Sequence, residues 1–484
     1  MSRPLRLALA LIALLGAGRP AMGQTPPEPA RTRQAPATAA PAAAARRTVA
    51  VVITNATIVT QDASRRVLAP GAVAIDGANI VAVDTPAAIA ARFAGRQTID
   101  GRGQILMPGL VNTHGHAPMV LLRGLGSDLN LMDWLQKYIF PAEAKAVTPA
   151  FVRTGTQLAA LEMIRSGTTT YTDMYYFEEE IAKATAEAGL RAVLGETILK
   201  FPSPDAKTPE EGLARTEKFL VAFKNHPLIT PAVAPHALYT LEIPTLKACR
   251  ALADKYGAPL IIHLAETRAE VDTAKETGNA TPTQYLQNAG VWGPRTLAAH
   301  GVWVSAPDIA VLKAANVAVS YNPESNMKLA SGTAPIVDML AAGLRVGLGT
   351  DGAASNNDLD MFEAMRFGSF QQKLIRNDPR VLPAQTMLDM ATRDGAAALG
   401  LAAVGAIEPG KRADVILVDT RGPRETPIFD PVAHLVYVAH GDDVTTSIVN
   451  GRILMRDRRV LTLNETAVIA AAQRAADVVR AAVK

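Results

Sequence analysis

The sequence predicts an α/β protein in which a TIM (β/α)8 barrel is combined with a small discontinuous β-sandwich. Strand-like, loop and helix-like segments alternate eight times through the middle of the 484-residue chain. Short strand-and-turn segments flank this middle region on both sides. Five of the eight histidines lie at or just beyond the ends of the middle strands, where a barrel places its active site.

Residues 1–23 have the pattern of a secretory signal peptide. Basic residues precede the apolar run Leu7–Leu15, and the small residues Ala21 and Gly23 frame a cleavage site. The run is too short to span a bilayer stably, and an uncleaved anchor is the alternative. Residues 24–48 are rich in Pro and Ala and lack an apolar face, which predicts a disordered linker. We therefore expect an exported protein, periplasmic or secreted, without stable membrane insertion after cleavage.

The composition excludes several classes of function. Hydrophobic residues make up 49% and charged residues 19% of the chain, an ordinary globular balance. The net charge of +4 is scattered without a block of like charges, so no nucleic-acid partner is expected. The single cysteine, Cys249, rules out an intrachain disulfide and a cysteine-based metal site.

Beyond the linker, both ends of the chain consist of short strands and turns. Residues 49–107 and 405–460 share this pattern, and residues 461–484 have a helical pattern. Because the two β segments enclose a long middle region, residues 108–404, we predict that they form one sandwich built from both ends of the chain. The middle region then forms the barrel.

The middle region contains eight strand candidates separated by helical stretches such as residues 151–166 and 178–188. Eight consecutive strand–helix units close into a barrel, whose active site lies at the carboxyl ends of the strands. The candidate strands are Leu110–Thr113, Thr168–Asp173, Arg191–Glu196, Ile229–Pro235, Pro259–Leu264, Thr296–His300, Val317–Tyr321 and Arg345–Thr350.

Histidines mark the ends of these strands. His114 and His116 follow the first strand and, being two residues apart, point the same way in extended backbone. A single His-x-His pair is a weak signal. However, His263 and His300 lie on the fifth and sixth strands, and Asp351 follows the eighth. Because a barrel brings these ends together, His114 and His116 are predicted to bind a divalent metal.

Six segments, in this order, resemble the amidohydrolase superfamily, and within it the methylthioadenosine/S-adenosylhomocysteine deaminases and their chlorohydrolase-like relatives. The resemblance extends over about residues 49–456. Each motif is moderately specific, but their order and spacing together are very specific. The segments are MPGLVNTHGH (107–116), HLAET (263–267), AAHG (298–301), NPESNMKLASG (322–332), GLGTDGAASNNDLDM (347–361) and EPGKRADVILVD (408–419).

The resemblance implies one divalent metal ion, usually Zn²⁺ with Fe²⁺ as the alternative, bound by His114, His116, His263 and Asp351. Neutral imidazoles and one carboxylate leave an open position for water, whose pKa the metal lowers. Two-metal versions of the fold usually need a carbamylated lysine at the end of the fourth strand. The segment LITPAVAPHALYT (228–240) contains no lysine, which favours a single metal.

The resemblance also implies three catalytic residues. Glu266, three residues after a ligand, would take a proton from water and deliver it to a ring nitrogen of the substrate. Asp351 would bind the metal and accept a hydrogen bond from the attacking hydroxide. His300 would hydrogen-bond the hydroxide or the developing tetrahedral centre. The alternatives are a surface ion pair for Glu266 and a structural role for His300.

Two further residues match substrate-binding positions of these deaminases. Glu143, on a lid-like segment after the first strand, would accept hydrogen bonds from ribose hydroxyls, and His236 would contact the nucleoside. The alternative for Glu143 is a solvated helix start. Trp134 and Leu135 are expected to pack the lid. Asp173 is expected either to support a ligand from behind or to be a structural residue of the rim, and it is not counted among the site residues.

The third strand departs from the pattern of relatives that act on S-adenosylhomocysteine, which have an arginine near its end. Here Arg191 lies at the opposite end of the strand, and Glu196 and Lys200 are expected at the rim. Because Glu196 would repel the carboxylate of the amino-acid tail, we expect adenosine or methylthioadenosine to be preferred over S-adenosylhomocysteine.

The sequence therefore predicts an exported, metal-dependent enzyme that deaminates a 6-aminopurine nucleoside such as methylthioadenosine, S-adenosylhomocysteine or adenosine and releases ammonia. One alternative is a hydrolase of another aminated or chlorinated heterocycle, such as guanine, a pterin, cytosine or a chlorotriazine. The other is a periplasmic binding protein without catalysis. The partner is a small-molecule substrate, and the resemblance also favours a homo-oligomer.

Overall fold

The computed structural model describes residues 45–483. The predicted signal peptide and residues 24–44 of the predicted linker lie outside the described residues. The linker was predicted to extend to residue 48, which is wrong by two residues. Strand β1 begins at Arg47, because Arg47 and Thr48 already pair in parallel with Phe93 and Ala94. Within the described residues, no helix has the length and apolar character that crossing a membrane requires.

The first part of the described chain forms five strands and one short helix. Strand β1 is the centre of this unit, since it pairs with β2 in antiparallel and with β4 and β5 in parallel orientation. The elements are β1 (Arg47–Val59), β2 (Val67–Asp76), β3 (Asn79–Asp84), α1 (Pro86–Arg92), β4 (Phe93–Asp100) and β5 (Gln104–Pro108).

Eight parallel strands form the barrel, so the predicted fold class is confirmed. Each strand lies within two residues of its predicted bounds. The sheet closes where the amide of Thr113, after the first barrel strand, donates to the carbonyl oxygen of Leu348 in the last (3.0 Å). The strands are β6 (Leu110–Asn112), β7 (Thr168–Tyr175), β8 (Arg191–Ile198), β9 (Ile229–Pro235), β10 (Leu260–Leu264), β11 (Thr296–His300), β12 (Ala318–Tyr321) and β13 (Arg345–Leu348).

Helices follow these strands and have clear start and stop signals in the sequence. Thr148 caps the longest of them by accepting a hydrogen bond from Phe151 N, and Gly167 ends it in a left-handed conformation. The helices are α2 (Leu131–Trp134), α3 (Phe140–Ala146), α4 (Pro149–Ser166), α5 (Glu178–Ala188), α6 (Pro209–Phe223), α7 (Ile243–Tyr256), α8 (Arg268–Gly278), α9 (Pro282–Asn288), α10 (Ala306–Ala314), α11 (Pro323–Lys328), α12 (Ile336–Ala341), α13 (Met361–Arg376), α14 (Ala384–Met390) and α15 (Arg393–Ala398).

The C-terminal part returns to the first sheet. Strand β14 pairs in antiparallel orientation with β5, for example Ile416 with Met107, so strands from both ends form one mixed nine-stranded sheet. The prediction of a second β unit built from both ends of the chain is confirmed. The remaining elements are β14 (Val415–Asp419), α16 (Pro431–Tyr437), β15 (Val444–Val449), β16 (Arg452–Arg456), β17 (Arg459–Val460) and α17 (Glu465–Ala482).

Small and branched apolar side chains from successive barrel strands pack into one buried cluster. Val193, Ala232, Ile261 and Leu297 belong to this cluster, and side chains of the α15 segment such as Ala396 join it. A barrel filled in this way is a packed core and not a channel. The chemistry is therefore expected at the carboxyl ends of the strands, where polar side chains are found.

Candidate active site

The structure brings the predicted metal ligands together at the carboxyl ends of strands from opposite parts of the chain. One ring nitrogen each of His114, His116 and His263 lie within 4.8 Å of one another. The carboxylate of Asp351 closes the group: its Oδ1 lies 3.4 Å from Nε2 of His114 and 3.3 Å from Nε2 of His116. Three imidazoles and one carboxylate thus converge on one point.

His114 shows that this group fits a metal ion. Its side chain is completely buried, and neither ring nitrogen has a hydrogen-bond partner among the described residues. A buried polar atom without a partner is costly, so proteins rarely leave one unsatisfied. A divalent cation bound by Nε2 would satisfy this nitrogen, and imidazole and carboxylate groups are among the ligands that Zn²⁺ takes from proteins.

Two further ligands are oriented by backbone carbonyl groups. His116 Nδ1 lies 2.7 Å from the carbonyl oxygen of Met174, and His263 Nδ1 lies 2.8 Å from that of His236. Because a carbonyl oxygen can only accept, each Nδ1 donates, and the lone pair is left on Nε2. In its neutral form, each imidazole therefore directs the Nε2 lone pair toward the group.

The electrostatics of the group favour a bound cation. Burial lowers the pKa of His114 to about 4, so this imidazole is neutral. Burial also lowers the pKa of His116, but the hydrogen bond and negative charge of Asp351 outweigh it and raise that pKa to about 9. Burial raises the pKa of Asp351, yet the nearby imidazoles of His114 and His116 hold it well below the usual range. Asp351 is therefore an anion that needs a positive charge beside it.

Glu266 and His300 lie beside this group. Both are buried, and His300 Nε2 is 3.8 Å from Glu266 Oε2 and 3.9 Å from Asp351 Oδ2. His300 Nδ1 lies 2.9 Å from Asn326 Oδ1 and 3.4 Å from Asn322 Nδ2, and these two contacts fix the orientation of the ring. Burial raises the pKa of Glu266. Glu266 thus lies next to the candidate metal ligands but is not one of them. A residue that transfers a proton to or from bound water needs this position.

Three residues at these strand ends have left-handed backbone conformations although none is glycine. They are Ala265 (φ 47°), His300 (φ 73°) and Asp351 (φ 66°). Such conformations are uncommon and occur most often where a side chain must be aimed at a functional site. Ala265 directly precedes Glu266, so all three conformations turn a candidate active-site side chain out of the regular strand direction.

The lid-like segment is a nearly continuous helical stretch from α2 through α3. It includes a π-helical turn, Leu135–Ile139, a feature that is frequent at functional sites. Trp134 is buried, and its indole nitrogen donates to the carbonyl oxygen of Leu125 (2.9 Å), so it packs the lid. The lid places Glu143 over the barrel.

Glu143 is buried and is held by two tyrosines that the sequence did not single out. The hydroxyl of Tyr175 donates to its Oε1 (2.8 Å), and that of Tyr176 donates to its Oε2 (3.5 Å). Burial raises the pKa of Glu143 to about 7, and the hydrogen bond from Tyr175 offsets part of this effect. Tyr175 is the last residue of β7 and Tyr176 directly follows it, so their position at the end of a strand was the available signal.

His236 has two functions in the structure. Its backbone carbonyl orients His263, and its ring lies 4.7 Å, centroid to centroid, from the ring of that ligand. Its Nδ1 contacts Thr240 Oγ1 (3.0 Å). Burial lowers the pKa of His236 to about 3, so the ring is neutral. It can therefore offer a neutral hydrogen-bonding edge to a ligand.

Asp173 supports the site from behind one candidate ligand, which is the first of the two positions expected for it. It is completely buried, and one carboxylate oxygen accepts a hydrogen bond from the amide of Ala117, the residue after His116. The next residue, Met174, binds the ring of His116 through its carbonyl oxygen. Two consecutive residues of β7 thus fix both the backbone and the ring of one candidate ligand.

The structure contradicts the prediction that Glu196 faces the substrate. Glu196 is buried on the side of β8 that faces α6, where its Oε1 pairs with Arg215 Nε (3.1 Å). The next residue, Thr197, lines the pocket instead, as alternation along a strand requires. Lys200 Nζ pairs with Glu242 Oε1 (3.1 Å). The predicted repulsion of a substrate carboxylate by Glu196 is therefore wrong.

The candidate ligands, the lid and His236 surround one pocket. The space between these residues measures about 630 Å³ when the open solvent at its mouth is included. His116, His263 and Asp351 line it on the barrel side, and Glu143 lines it on the lid side. The structure thus places seven of the eight predicted site residues around one pocket and the eighth, His114, directly beside it.

The sequence is similar to one protein family and to known deaminases. The sequence profile of the amidohydrolase family matches residues 105–454. A 5-methylthioadenosine/S-adenosylhomocysteine deaminase of Syntrophus aciditrophicus is 44% identical over 437 residues, covering 90% of this chain and 99% of the relative. A 5'-deoxyadenosine deaminase of Methanosarcina mazei is 44% identical over 429 residues, covering 88% of this chain and 98% of the relative.

Solved structures with a similar fold include another deaminase. An adenosine deaminase from Xanthomonas campestris with bound zinc superposes with a TM-score of 0.88 at 36% identity, covering 90% of this chain and 100% of the other. Atrazine chlorohydrolase from Arthrobacter aurescens, complexed with zinc, has a TM-score of 0.82 at 23% identity, covering 88% and 100%. At that identity the second likeness shows the fold alone.

Proposed function

The chain belongs to the amidohydrolase family, and we propose that it deaminates 6-aminopurine nucleosides by metal-dependent hydrolysis. Water replaces the exocyclic amine at C6 of the purine, and ammonia leaves. The observation that carries this proposal is the buried group of His114, His116, His263 and Asp351, with Glu266 beside it, below a lid that carries Glu143. The deaminases that are 44% identical over most of the chain support the substrate class.

The metal in this proposal is zinc, with Fe²⁺ as the alternative. The three imidazoles and Asp351 would hold it, and the zinc in the related adenosine deaminase supports this choice. A divalent ion in this position acts as a Lewis acid that makes water a nucleophile near neutral pH. Because His116 and His263 are oriented by carbonyl groups, the chain itself prepares the Nε2 lone pairs that such an ion needs.

Glu266 has the role of proton carrier. Its carboxylate accepts a proton from the attacking water and delivers that proton to N1 of the purine ring, so that C6 becomes tetrahedral. Burial raises its pKa, which makes the protonated form easier to reach during turnover. His300 Nε2 lies within 4 Å of Glu266 and Asp351 and accepts a hydrogen bond from the same water. Its Nδ1 contact with Asn326 keeps the ring in this orientation.

Glu143 and His236 hold the ribose side of the substrate. Glu143 accepts hydrogen bonds from the ribose hydroxyls, while Tyr175 and Tyr176 keep its carboxylate in place. His236, neutral because of burial, contacts the nucleoside at the wall of the pocket. Lid and barrel thus each supply one contact, and a closed lid excludes water from the reacting centre.

The test is ammonia release by the purified chain after metal loading. Adenosine, 5'-methylthioadenosine and 5'-deoxyadenosine are compared with guanine, cytosine and atrazine, and Glu266→Gln serves as the control for metal-dependent background. We expect ammonia only from the adenine nucleosides. Turnover of guanine, cytosine or atrazine alone would replace this proposal by the heterocycle hydrolase, and tight nucleoside binding without ammonia would replace it by the binding protein.

The location of the enzyme is a second part of the proposal. The basic residues, the apolar run and the small-residue cleavage site within residues 1–23 support export of the chain. The enzyme would then act on nucleosides in the periplasm or outside the cell.

A further inference from the structure

The lid side of the pocket is apolar. Leu131, Trp134, Leu135, Ile139 and Phe140 line it from the lid. Four of these five side chains are buried even without a ligand, so the wall is dry and closely packed. A substrate that extends beyond the ribose meets hydrocarbon and aromatic surface here.

The charged groups that line the pocket, apart from its histidines, are all acidic. Among the described residues, the lining contains the carboxylates of Glu143, Glu266 and Asp351 but neither a lysine nor an arginine. One metal ion would balance part of this negative charge next to Asp351. It would not provide a separate cationic partner for a carboxylate of the substrate.

Three cations close to the pocket illustrate that nearby positive charges are bound to other groups. Lys200, whose backbone amide donates to Thr240 O, pairs through Nζ with Glu242 Oε1 (3.1 Å). Lys328, next to the lining residue Leu329, donates to Asn357 Oδ1 (2.9 Å) and to a backbone carbonyl.

Arg215 is the third such cation, since its guanidinium lies over the ring of Phe177 beside the pocket residue Tyr176. It pairs with Glu196 (3.1 Å) and Glu179 (3.0 Å), and lies 3.6 Å from Asp205. Three carboxylates thus hold one guanidinium on the far side of β8, away from the substrate.

We infer that the pocket selects nucleosides whose 5' substituent carries no carboxylate: a methylthio group, a hydrogen atom or a hydroxyl group. This inference rests on the proposed function and names its substrate class more closely. A carboxylate that enters the pocket loses its hydration, gains no cationic partner and approaches three acidic side chains. An uncharged thioether of the same length pays none of these costs and gains contact with the apolar lid.

The first test compares three substrates on the wild-type, metal-loaded chain. They are 5'-methylthioadenosine, S-adenosylhomocysteine and 5'-butylthioadenosine, which has nearly the length of the homocysteine tail but no charge. We expect kcat/KM for the two uncharged thioethers to exceed that for S-adenosylhomocysteine by about tenfold or more, which corresponds to about 1.4 kcal/mol. Equal values for methylthioadenosine and S-adenosylhomocysteine would overturn the inference and leave the proposed deaminase intact. A butylthio substrate as poor as S-adenosylhomocysteine would also overturn it, because size and not charge would then decide.

The second test changes the charge of the lid and of its neighbours. Leu131→Arg supplies a cation at the lid, and Leu131→Gln is the matched variant that removes the same apolar contact without charge. The ratio of kcat/KM for S-adenosylhomocysteine to that for the butylthio substrate should rise in the arginine variant only. Lys200→Ala and Lys328→Ala should leave this ratio unchanged. A selective loss of S-adenosylhomocysteine turnover in either lysine variant would show that the tail carboxylate has a cationic partner, contrary to the inference. Absence of ammonia from all adenine nucleosides would instead contradict the proposed function.

Discussion

At the scale of single residues, the candidate metal ligands allow a direct test by substitution. His263 supplies one of the three converging imidazoles, so His263→Ala should remove stoichiometric metal and activity together. His440, a histidine outside the group, provides the control variant His440→Ala. Elemental analysis of both proteins checks the prediction, and full metal content in the His263 variant would contradict the ligand assignment.

Glu266 separates proton transfer from metal binding. Glu266→Gln keeps the shape of the side chain but cannot accept a proton, so kcat should fall by a factor on the order of 10² to 10⁴. Metal content should stay at the wild-type level, because Glu266 lies beside the ligand group and not within it. Unchanged turnover would mean that another group carries the proton.

Asp173 is expected to act through His116. Its carboxylate accepts the amide hydrogen of Ala117, and residues that orient a ligand typically change metal affinity by about 10- to 100-fold. Asp173→Ala should therefore weaken metal binding by the apoenzyme, measured by competition with a chelator. Asp173→Asn keeps an acceptor oxygen and should retain most of the affinity. Equal weakening in both variants would indicate a requirement for the charge and not for the hydrogen bond.

The raised pKa of Glu143 leads us to expect that substrate binding depends on pH. Its pKa is raised to about 7 by burial, so the carboxyl is protonated below that pH and ionised above it. Only the ionised form accepts hydrogen bonds from both ribose hydroxyls. KM for adenosine should therefore fall as the pH rises through about 7. KM for 2',3'-dideoxyadenosine, which lacks these hydroxyls, should show no such step, and an identical step for both substrates would exclude Glu143 as its origin.

At the scale of elements, the barrel strands were predictable and the direction of their side chains was not. The strands are runs of β-branched and apolar residues bounded by turns, which fixes their ends within two residues. In β8, however, every residue is buried on one face or the other, so no polar–apolar alternation shows which residues point inward. For this reason Glu196 was assigned to the wrong side, although Thr197 beside it lines the pocket.

The same strand explains the position of Arg191. Its guanidinium pairs with Asp414, just before β14, at 2.7 Å, and both side chains are buried. This pair connects the start of a barrel strand with the nine-stranded sheet. Arg191→Ala leaves the charge of Asp414 buried without its partner, so the free energy of unfolding should fall by about 3–5 kcal/mol.

Chemical denaturation measures this change. The double variant Arg191→Met/Asp414→Leu removes both charges at similar volume and should recover most of the loss. If the double variant is as unstable as the single one, the connection depends on packing and not on the ion pair.

At the scale of the whole molecule, the convergence of the four candidate ligands was predictable because each of them lies in a short local motif at the end of a strand. The contacts around it join segments far apart in the chain, such as Tyr175 with Glu143 and His300 with Asn326. No local pattern records which side chains meet across the barrel mouth. The tyrosines that hold Glu143 and the role of Asp173 therefore required the structure.

Export is the remaining prediction at this scale. When the full chain is expressed in a bacterium, the mature protein should begin at Gln24 and be recovered from the periplasmic fraction or the medium. N-terminal sequencing and intact mass measure the cleavage site. Retention of residues 1–23 on the purified protein would favour the uncleaved anchor.

The pairing of β5 with β14 has a consequence for how the molecule is made. Pro108 lies opposite Val415, so β5, which pairs with β1 along one edge, finds the partner for its other edge only after the entire barrel has been synthesised. Until then β5 presents an unpaired edge, and such long-range pairing is slow and prone to aggregation. If the polypeptide crosses a membrane unfolded, β5 again emerges on the far side before β14. Export would thus delay metal capture until the last strands arrive, so a chain truncated before β14 should accumulate as insoluble protein and not as an active fragment.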